Sequence, residues 1–399
     1  MKNIETFHKL VKTGSLVAPL NHQTNQISIA HAISHFAGNF TPTIDKNGLE
    51  LLEQFDSSDH LLMLLVDGLG MNFVNRMSQN SFIRSNLWKT GNSVFPSSTG
   101  PNLLSLSTGT WPGRHGDLGW KTYLDNIKEP ATLLKWERSR DSKNLLDLNV
   151  RPDSVFLERP LVVEYKLDYV FLVPKEYQNS PVTQWISNGR MMPYDNLSDA
   201  LYMAKNRIKE SKDRTFTYIY WSDIDFVTHQ TGCESFETAS KLQYLENTLV
   251  DFFNNMFGEV SFLLTSDHGH MDVPEDKRII VRPDDPLNNF INNPISGEEK
   301  FVFLYLGDHR EKFVDLFMDR FQDYFMVLSP EDILDLSLLG PDVKNEVNIR
   351  LGDTVLLSKG VWAIDFRSYD SYKSEAYMIS NHGGLTHDEM QIPIVYYRT

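Results

Sequence analysis

One cysteine, Cys233, is all the thiol chemistry these 399 residues offer, which excludes an internal disulfide framework. No apolar run reaches the roughly 18 residues of a transmembrane helix. The opening stretch MKNIETFHKLVKTGSLVAPL lacks the continuous apolar segment of a signal peptide, so a cytoplasmic site of action is expected. Positive charge is scarce as well. The 38 Lys and Arg residues face 53 Asp and Glu, leaving a net charge of −15 and a pI near 5.2. A long nucleic acid needs a basic stripe and is excluded as a partner. A small phosphate ester is not, because metal ions can meet its charge locally. Internal repeats, low-complexity segments, a P-loop and the Gly-x-Ser-x-Gly elbow of acyl hydrolases are also missing.

What is there reads as an ordinary globular chain, 41% hydrophobic and 23% charged. Six short apolar runs predict buried strands: HLLMLLV (60–66), YVFLV (169–173), FTYIYW (216–221), VSFLLT (260–265), KFVFLYL (300–306) and IPIVYY (392–397). Apolar residues on both faces suit a parallel sheet covered by helices. Helical periodicity is clearest over 234–256, where Leu242, Leu245, Leu249, Phe252 and Met256 share a face. The alternation predicts an open α/β sheet with ligands at the carboxyl ends of its strands. Turn signals such as RPDDPLNNFINNPISGEE set residues 276–370 apart as an insertion or cap with a strand and helices of its own. The first 50 residues carry no clear signal. The expected organisation is one α/β domain over 1–399, with its core at about 50–275 and 371–399.

Ionisable residues follow the strand runs. Asp67-Gly68 comes after the first, Asp225 and His229 come after FTYIYW, and Asp267-His268-Gly269 comes after VSFLLT. His382-Gly383-Gly384 precedes the last run. Each has a plain reading as a turn, a capping pair or a loop histidine. Together they place carboxylates and imidazoles where this architecture builds sites, and two ionisable groups directly after a buried strand are costly without a purpose. Asp and His are ligands for zinc-like divalent ions, and six of them are enough for two. Two such ions can activate an attacking oxygen and stabilise an in-line displacement at phosphorus.

The stretch VFPSSTGPNLLSLSTGTWPGRHG (94–116) sets three hydroxyls ahead of a helix start. Pro101 fits the first turn, with residue 99 or 100 as the cap. A hydroxyl there is either an N-cap or, at the positive end of the helix dipole, a nucleophile aimed at a bound phosphate. The metal-type residues elsewhere favour the nucleophile. Asn102 is placed to donate its amide to a phosphate oxygen.

At this point the residues resemble a known family. FPSSTGPN…STGTWPGRHG is similar to the Phe-Pro-x-x-Thr-x-Pro-Asn…Thr-Gly-x-x-Pro-x-x-His-Gly pattern of the type I phosphodiesterase/nucleotide pyrophosphatase family, within the alkaline phosphatase superfamily. The similarity spans about 60–275 and 375–399, and it implies an alkaline-phosphatase-like fold. It implies Thr99 as the nucleophile of a phospho-threonine mechanism and Asn102 as a phosphate contact. Asp67, Thr99, Asp267 and His268 would hold one divalent ion, and Asp225, His229 and His382 a second, with zinc expected and manganese the alternative. Gly100 stands where the family has an aromatic residue, which opens or reshapes the substrate pocket. WSDIDFVTH replaces the usual Glu-Pro-Asp, leaving Asp223 as a substitute for Asp225. Ser97 and Ser98 are reserve nucleophiles, and Lys121 and Tyr123 are candidate contacts for a second anionic group and an organic moiety.

The reading is therefore a two-metal hydrolase of phosphodiesters or nucleotide pyrophosphates, acting on a small phosphate-ester substrate. The alternatives are a monoesterase or phosphonate hydrolase of the same superfamily, or a non-catalytic phosphoester-binding protein. The oligomeric state is not set by the sequence.

Overall fold

The computed structural model describes residues 2–256, 258–291, 294–367 and 377–399. Seven strands form the central sheet: β1 (His60–Val66), β2 (Leu87–Asn92), β3 (Asp168–Pro174), β4 (Met191–Tyr194), β5 (Thr215–Trp221), β6 (Val260–Thr265) and β7 (Gln391–Arg398). Their order is β2-β7-β6-β1-β5-β3-β4, and only β7 runs antiparallel to its neighbours. The core is thus the mostly parallel α/β sheet that the apolar runs predict.

β1 shows why those runs are apolar throughout. Leu61, Met63 and Leu65 enter one buried cluster with α1 (Gln26–Phe36) and α2 (Thr99–Thr108). Leu62, Leu64 and Val66 enter another with α3 (Leu197–Glu210) and α5 (Phe236–Asn254), the latter lying behind α4 (Asp223–Thr231). Both faces are covered, so alternation disappears from the sequence. In α5, Leu245, Leu249 and Phe252 are buried and Leu242 packs half-buried at the edge, while Met256 packs half-buried just past the helix end.

Several expectations change. The run 300–306 supplies Phe301–Leu304 to a separate antiparallel sheet with Ser296–Glu298, Phe325–Leu328 and Thr354–Ser358. An apolar run reports burial, not the sheet that does the burying. β2 and β4 are both edge strands: β2 escapes the pattern because its second half is polar or glycine (LWKTGN), and β4 because it has only four residues, one of them proline (MMPY). Within the first 50 residues lie α1 and a helix over Lys2–Lys12, and α1 packs on α2. Of the segment 276–370, the described part holds the four-stranded sheet, a helix over Arg310–Phe321, and Arg278–Val281 paired in parallel with Ala363–Phe366. Residues 368–370 lie outside the described residues. Among the described residues no helix is long and apolar enough to cross a membrane.

Candidate metal centre and active site

The three adjacent central strands β6, β1 and β5 end side by side, so the residues just past them converge. Asp67 follows β1 directly and donates its N–H to Trp221 O at the end of β5 (2.9 Å). Gly68 turns the chain at φ +75°, where a Cβ would stand 2.8 Å from the His270 ring. Asp225 and His229 lie one turn apart on α4, with Oδ1 and Nε2 3.3 Å apart.

Two groups of donor atoms result. In the first, His268 Nε2 lies 3.2 Å from Thr99 Oγ1, 3.4 Å from Asp67 Oδ1 and 3.6 Å from Asp267 Oδ2. Both carboxylate oxygens are buried without a hydrogen-bond partner. His268 donates Nδ1–H to Gly269 O (3.1 Å), which turns the Nε2 lone pair toward them. In the second, His229 Nε2 and His382 Nε2 are 3.1 Å apart and lie 3.3 and 3.7 Å from Asp225 Oδ1. Each ring gives Nδ1–H to a backbone carbonyl, His229 to Ser380 O (2.8 Å) and His382 to Ser97 O (3.2 Å). Two imidazole nitrogens therefore meet beside a carboxylate, a set held together by a cation, either a proton on His229, which burial opposes and Asp225 favours, or a metal ion. Donors around a tetrahedral ion with bonds of about 2.0–2.1 Å are about 3.4 Å apart, so the residues fit divalent metal in both places.

The electrostatics point the same way. Burial, with Asp267 and Asp225 close by, raises the Asp67 carboxyl well above the usual range. Burial works against ionisation at Asp225, but His229 and His270 prevail and hold it well below that range. Burial and the neighbouring His268 and His229 rings push His382 well down, so it is a neutral ligand-type imidazole.

His270 was not foreseen. It is fully buried, lowered to about 4 chiefly by burial, and sits 2.8 Å from Asp225 Oδ1 through Nε2 and 2.7 Å from Ser380 Oγ through Nδ1. It joins Asp225, His229 and His382 in one group of potential ligands. Its sequence signal is the second histidine of DHGH, two residues beyond His268. Tyr220, whose hydroxyl donates to Asp67 Oδ2, and Gln26, whose amide donates to Ser266 O (3.0 Å), are further supports from distant parts of the chain.

Other expectations are corrected. The cap of α2 is Ser98, so Thr99 is the first helical residue and Pro101 completes the first turn. Asn102 is fully buried and faces away from the cleft. Its Oδ1 accepts from Ser93 Oγ and Val94 N–H (both 3.0 Å), and its Nδ2 donates to Ser98 O (2.9 Å) and Pro96 O (3.3 Å). With the whole amide engaged, Asn102 braces the 93–98 loop and has no donor left for phosphate. Ser97 Oγ donates to Gly384 O (2.7 Å) and Ser98 Oγ donates to Glu298, so neither reserve hydroxyl is free. Asp223 pairs with Lys241 (2.7 Å) away from the centre. Gly100 does not open the pocket, because Asp117 Oδ2 would lie 2.7 Å from a Cβ there. Tyr123 is buried against Tyr305 and does not reach the site.

Lys121 does reach it. With Thr99, Asp67, Asp225, His229 and His382 it lines a cleft of about 690 Å³, a volume suited to an organic ligand and not to phosphate alone. Lys121 and Lys135 supply positive charge, Leu103, Val173, Val182 and Ile186 an apolar stretch, and Glu298 and Glu299 of the inserted sheet the opposite wall.

An open α/β sheet whose central strand ends gather a hydroxyl, carboxylates and imidazoles is the architecture of alkaline-phosphatase-like hydrolases. Within that class the chain belongs to the type I phosphodiesterase/nucleotide pyrophosphatase family, a metal-dependent family that it matches over residues 61–385. No curated protein sequence matches it. Among solved structures it is similar to murine ectonucleotide pyrophosphatase/phosphodiesterase 5, with a TM-score of 0.62 and 16% identity over 84% of this chain and 87% of that one. An inactive threonine-to-alanine variant of the same murine protein, solved with AMP, gives a TM-score of 0.61 at 16% identity over the same shares. Phosphonoacetate hydrolase from Sinorhizobium meliloti, in complex with phosphonoformate, gives 0.60 at 17% identity over 84% of this chain and 89% of that one.

Proposed function

We propose that this protein is a two-metal phosphoesterase that cleaves phosphodiesters or nucleotide pyrophosphates through a phospho-threonine on Thr99. The observation that carries the reading is the convergence of the Thr99 hydroxyl on His268 Nε2 beside two buried, unpartnered carboxylate oxygens. Asp67, Thr99, Asp267 and His268 would hold one divalent ion, and Asp225, His229 and His382 the other, with His270 orienting Asp225. When bound, such ions, zinc or else manganese, lower the pKa of a ligating hydroxyl and offset charge building on phosphorus. Thr99 Oγ1 attacks phosphorus as the bond to the leaving alcohol or nucleotide breaks, and the hydroxyl proton ends on the leaving oxygen. Water then attacks the phospho-threonine, its OH ending on phosphorus and its remaining proton on Thr99. The family and the neighbour inactivated by replacing a threonine support this assignment. Lys121 is offered to a second anionic group of the substrate. Residues 276–370 are read as a cap on a single α/β domain, forming the far wall of the cleft.

The test is elemental analysis of protein purified without chelators, paired with hydrolysis of bis-p-nitrophenyl phosphate and p-nitrophenyl phosphate. The expected result is two metals per chain and faster diester cleavage. Thr99→Ala is expected to retain most metal and lose turnover by a factor on the order of a thousand or more. Faster monoester cleavage would keep the nucleophile and overturn the ester class. Full activity of Thr99→Ala would overturn the mechanism, and metal-loaded protein inert on both esters would favour a binding protein.

A further inference from the structure

Glu298 belongs to the inserted sheet, yet its carboxylate is buried among three loops of the core. Its Oε1 accepts from Ser98 Oγ and from the Trp120 N–H (2.6 Å). Its Oε2 lies 3.8 Å from His382 Nδ1, and a Cβ on Gly383 would stand 2.6 Å from it. The loops carrying Thr99, Lys121 and His382 therefore meet at one side chain. These partners are a hydroxyl, an amide and a histidine. A carboxylate buried without a lysine or arginine is expensive, so an apolar residue would hold the insert to the core more cheaply.

Ser98 shows what the carboxylate does. It is the N-cap of α2, with the extended backbone of a cap, but its side chain makes no capping bond. Serines 81, 180, 235 and 329 are also N-caps, and each accepts from the N–H three residues on, whereas Ser222 at the start of α4, whose backbone is not extended, makes no such bond. In α2 the residue three on from Ser98 is Pro101, which has no N–H, so the one amide a Ser98 cap could reach is that of Gly100, beside the Thr99 amide. A capping Ser98 hydroxyl would cover that end, next to Thr99 Oγ1.

We infer that Glu298 is a positioning residue: it holds the Ser98 hydroxyl away from the start of α2 and so leaves the Gly100 amide open to a phosphoryl oxygen during reaction at Thr99. This rests on the reading of Thr99 as nucleophile. The carboxylate acts as an acceptor, and glutamine retains one acceptor oxygen.

The test compares kcat and KM for bis-p-nitrophenyl phosphate, with metal content and melting temperature, across four variants and wild type. Glu298→Ala is expected to lose about tenfold or more in kcat with little change in KM, because the freed hydroxyl caps a donor needed most in the transition state. Glu298→Gln is expected to stay within about threefold of wild type. In the double variant Glu298→Ala/Ser98→Ala the hydroxyl that would cap is gone, and most of the lost kcat is expected to return. A mere anchor for the insert would not be rescued this way. Ser98→Asn places a strong capping side chain at the same position without touching Glu298, and it is expected to lower kcat by about tenfold. That variant decides the matter if Glu298→Ala does not fold. Unchanged kcat in Glu298→Ala or Ser98→Asn, or a double variant as slow as Glu298→Ala, would overturn the inference. Thr99→Ala run alongside separates the two claims: if it is dead while Glu298→Ala is normal, only the positioning role falls, and if it is active, the Thr99 reading falls first.

Discussion

Asp117 occupies the space beside Gly100 that a side chain there would need, and burial pushes its carboxyl up to about 7. Its Oδ2 has no hydrogen-bond partner. An unfolded aspartate titrates near about 3.9. Between those values the folded chain holds a proton that the unfolded chain has lost. The stability this group contributes is therefore full at low pH and declines as pH rises toward about 7, by about 1.4 kcal/mol per pH unit. Asp117→Asn removes the ionisation, so its gain over wild type in urea-unfolding midpoint is expected to be larger at about pH 8 than at about pH 5. An equal gain at both would mean that Asp117 is not held protonated by burial. Residues like this separate what spacing can say from what contacts decide. Asn102 sits at the right distance from Thr99 along the chain, but every valence of its amide is taken by the 93–98 loop. His270 had a visible signal in DHGH but no visible partner, because Asp225 lies 45 residues away.

At the scale of elements, the four-residue helix His387–Met390 ties the ligand loops together. Its Glu389 accepts from the Gly384 N–H (2.8 Å) and from Thr386 Oγ1 (2.6 Å), while the Glu389 carbonyl accepts from the Gly269 N–H (2.9 Å). Gly384 follows His382 closely, and Gly269 lies between His268 and His270. Lys300, at the start of an inserted strand, is fully buried, donates to Gly360 O (2.7 Å) and lies 3.9 Å from Glu389 Oε1. The insert is thus latched to the helix that braces the candidate ligands. Lys300→Met leaves Glu389 buried without its cation and is expected to cost about 3 kcal/mol, read as a lower urea midpoint. A change below about 1 kcal/mol would show that the amide and hydroxyl donors satisfy Glu389 on their own. The strands of the central sheet were legible from their apolar runs, whereas this latch was not, since its partners come from segments far apart in sequence.

Taken whole, the molecule concentrates Asp67, Asp225 and Asp267 in a small volume of an already acidic chain, a repulsion that bound cations relieve. Stripping metal with a chelator is therefore expected to lower the melting temperature by about 5–10 °C, with recovery on adding zinc or manganese. An unchanged melting curve would remove this cluster as a metal centre. Local pattern alone determined the α/β sheet, the positions of Asp67, Asp225, His229, Asp267, His268 and His382, and the helix that begins beside Thr99. A strand run and the residues that follow it are neighbours in the chain, and parallel strands deliver such residues to one edge, which His382 reaches because it precedes β7, the antiparallel strand. Only the tertiary structure decided that Ser97, Ser98 and Asn102 are engaged elsewhere, that His270 supports Asp225, and that Glu298 from the insert reaches the start of α2. Those outcomes depend on which distant donors and acceptors share a buried volume, because a buried polar group must find a partner wherever the fold places one.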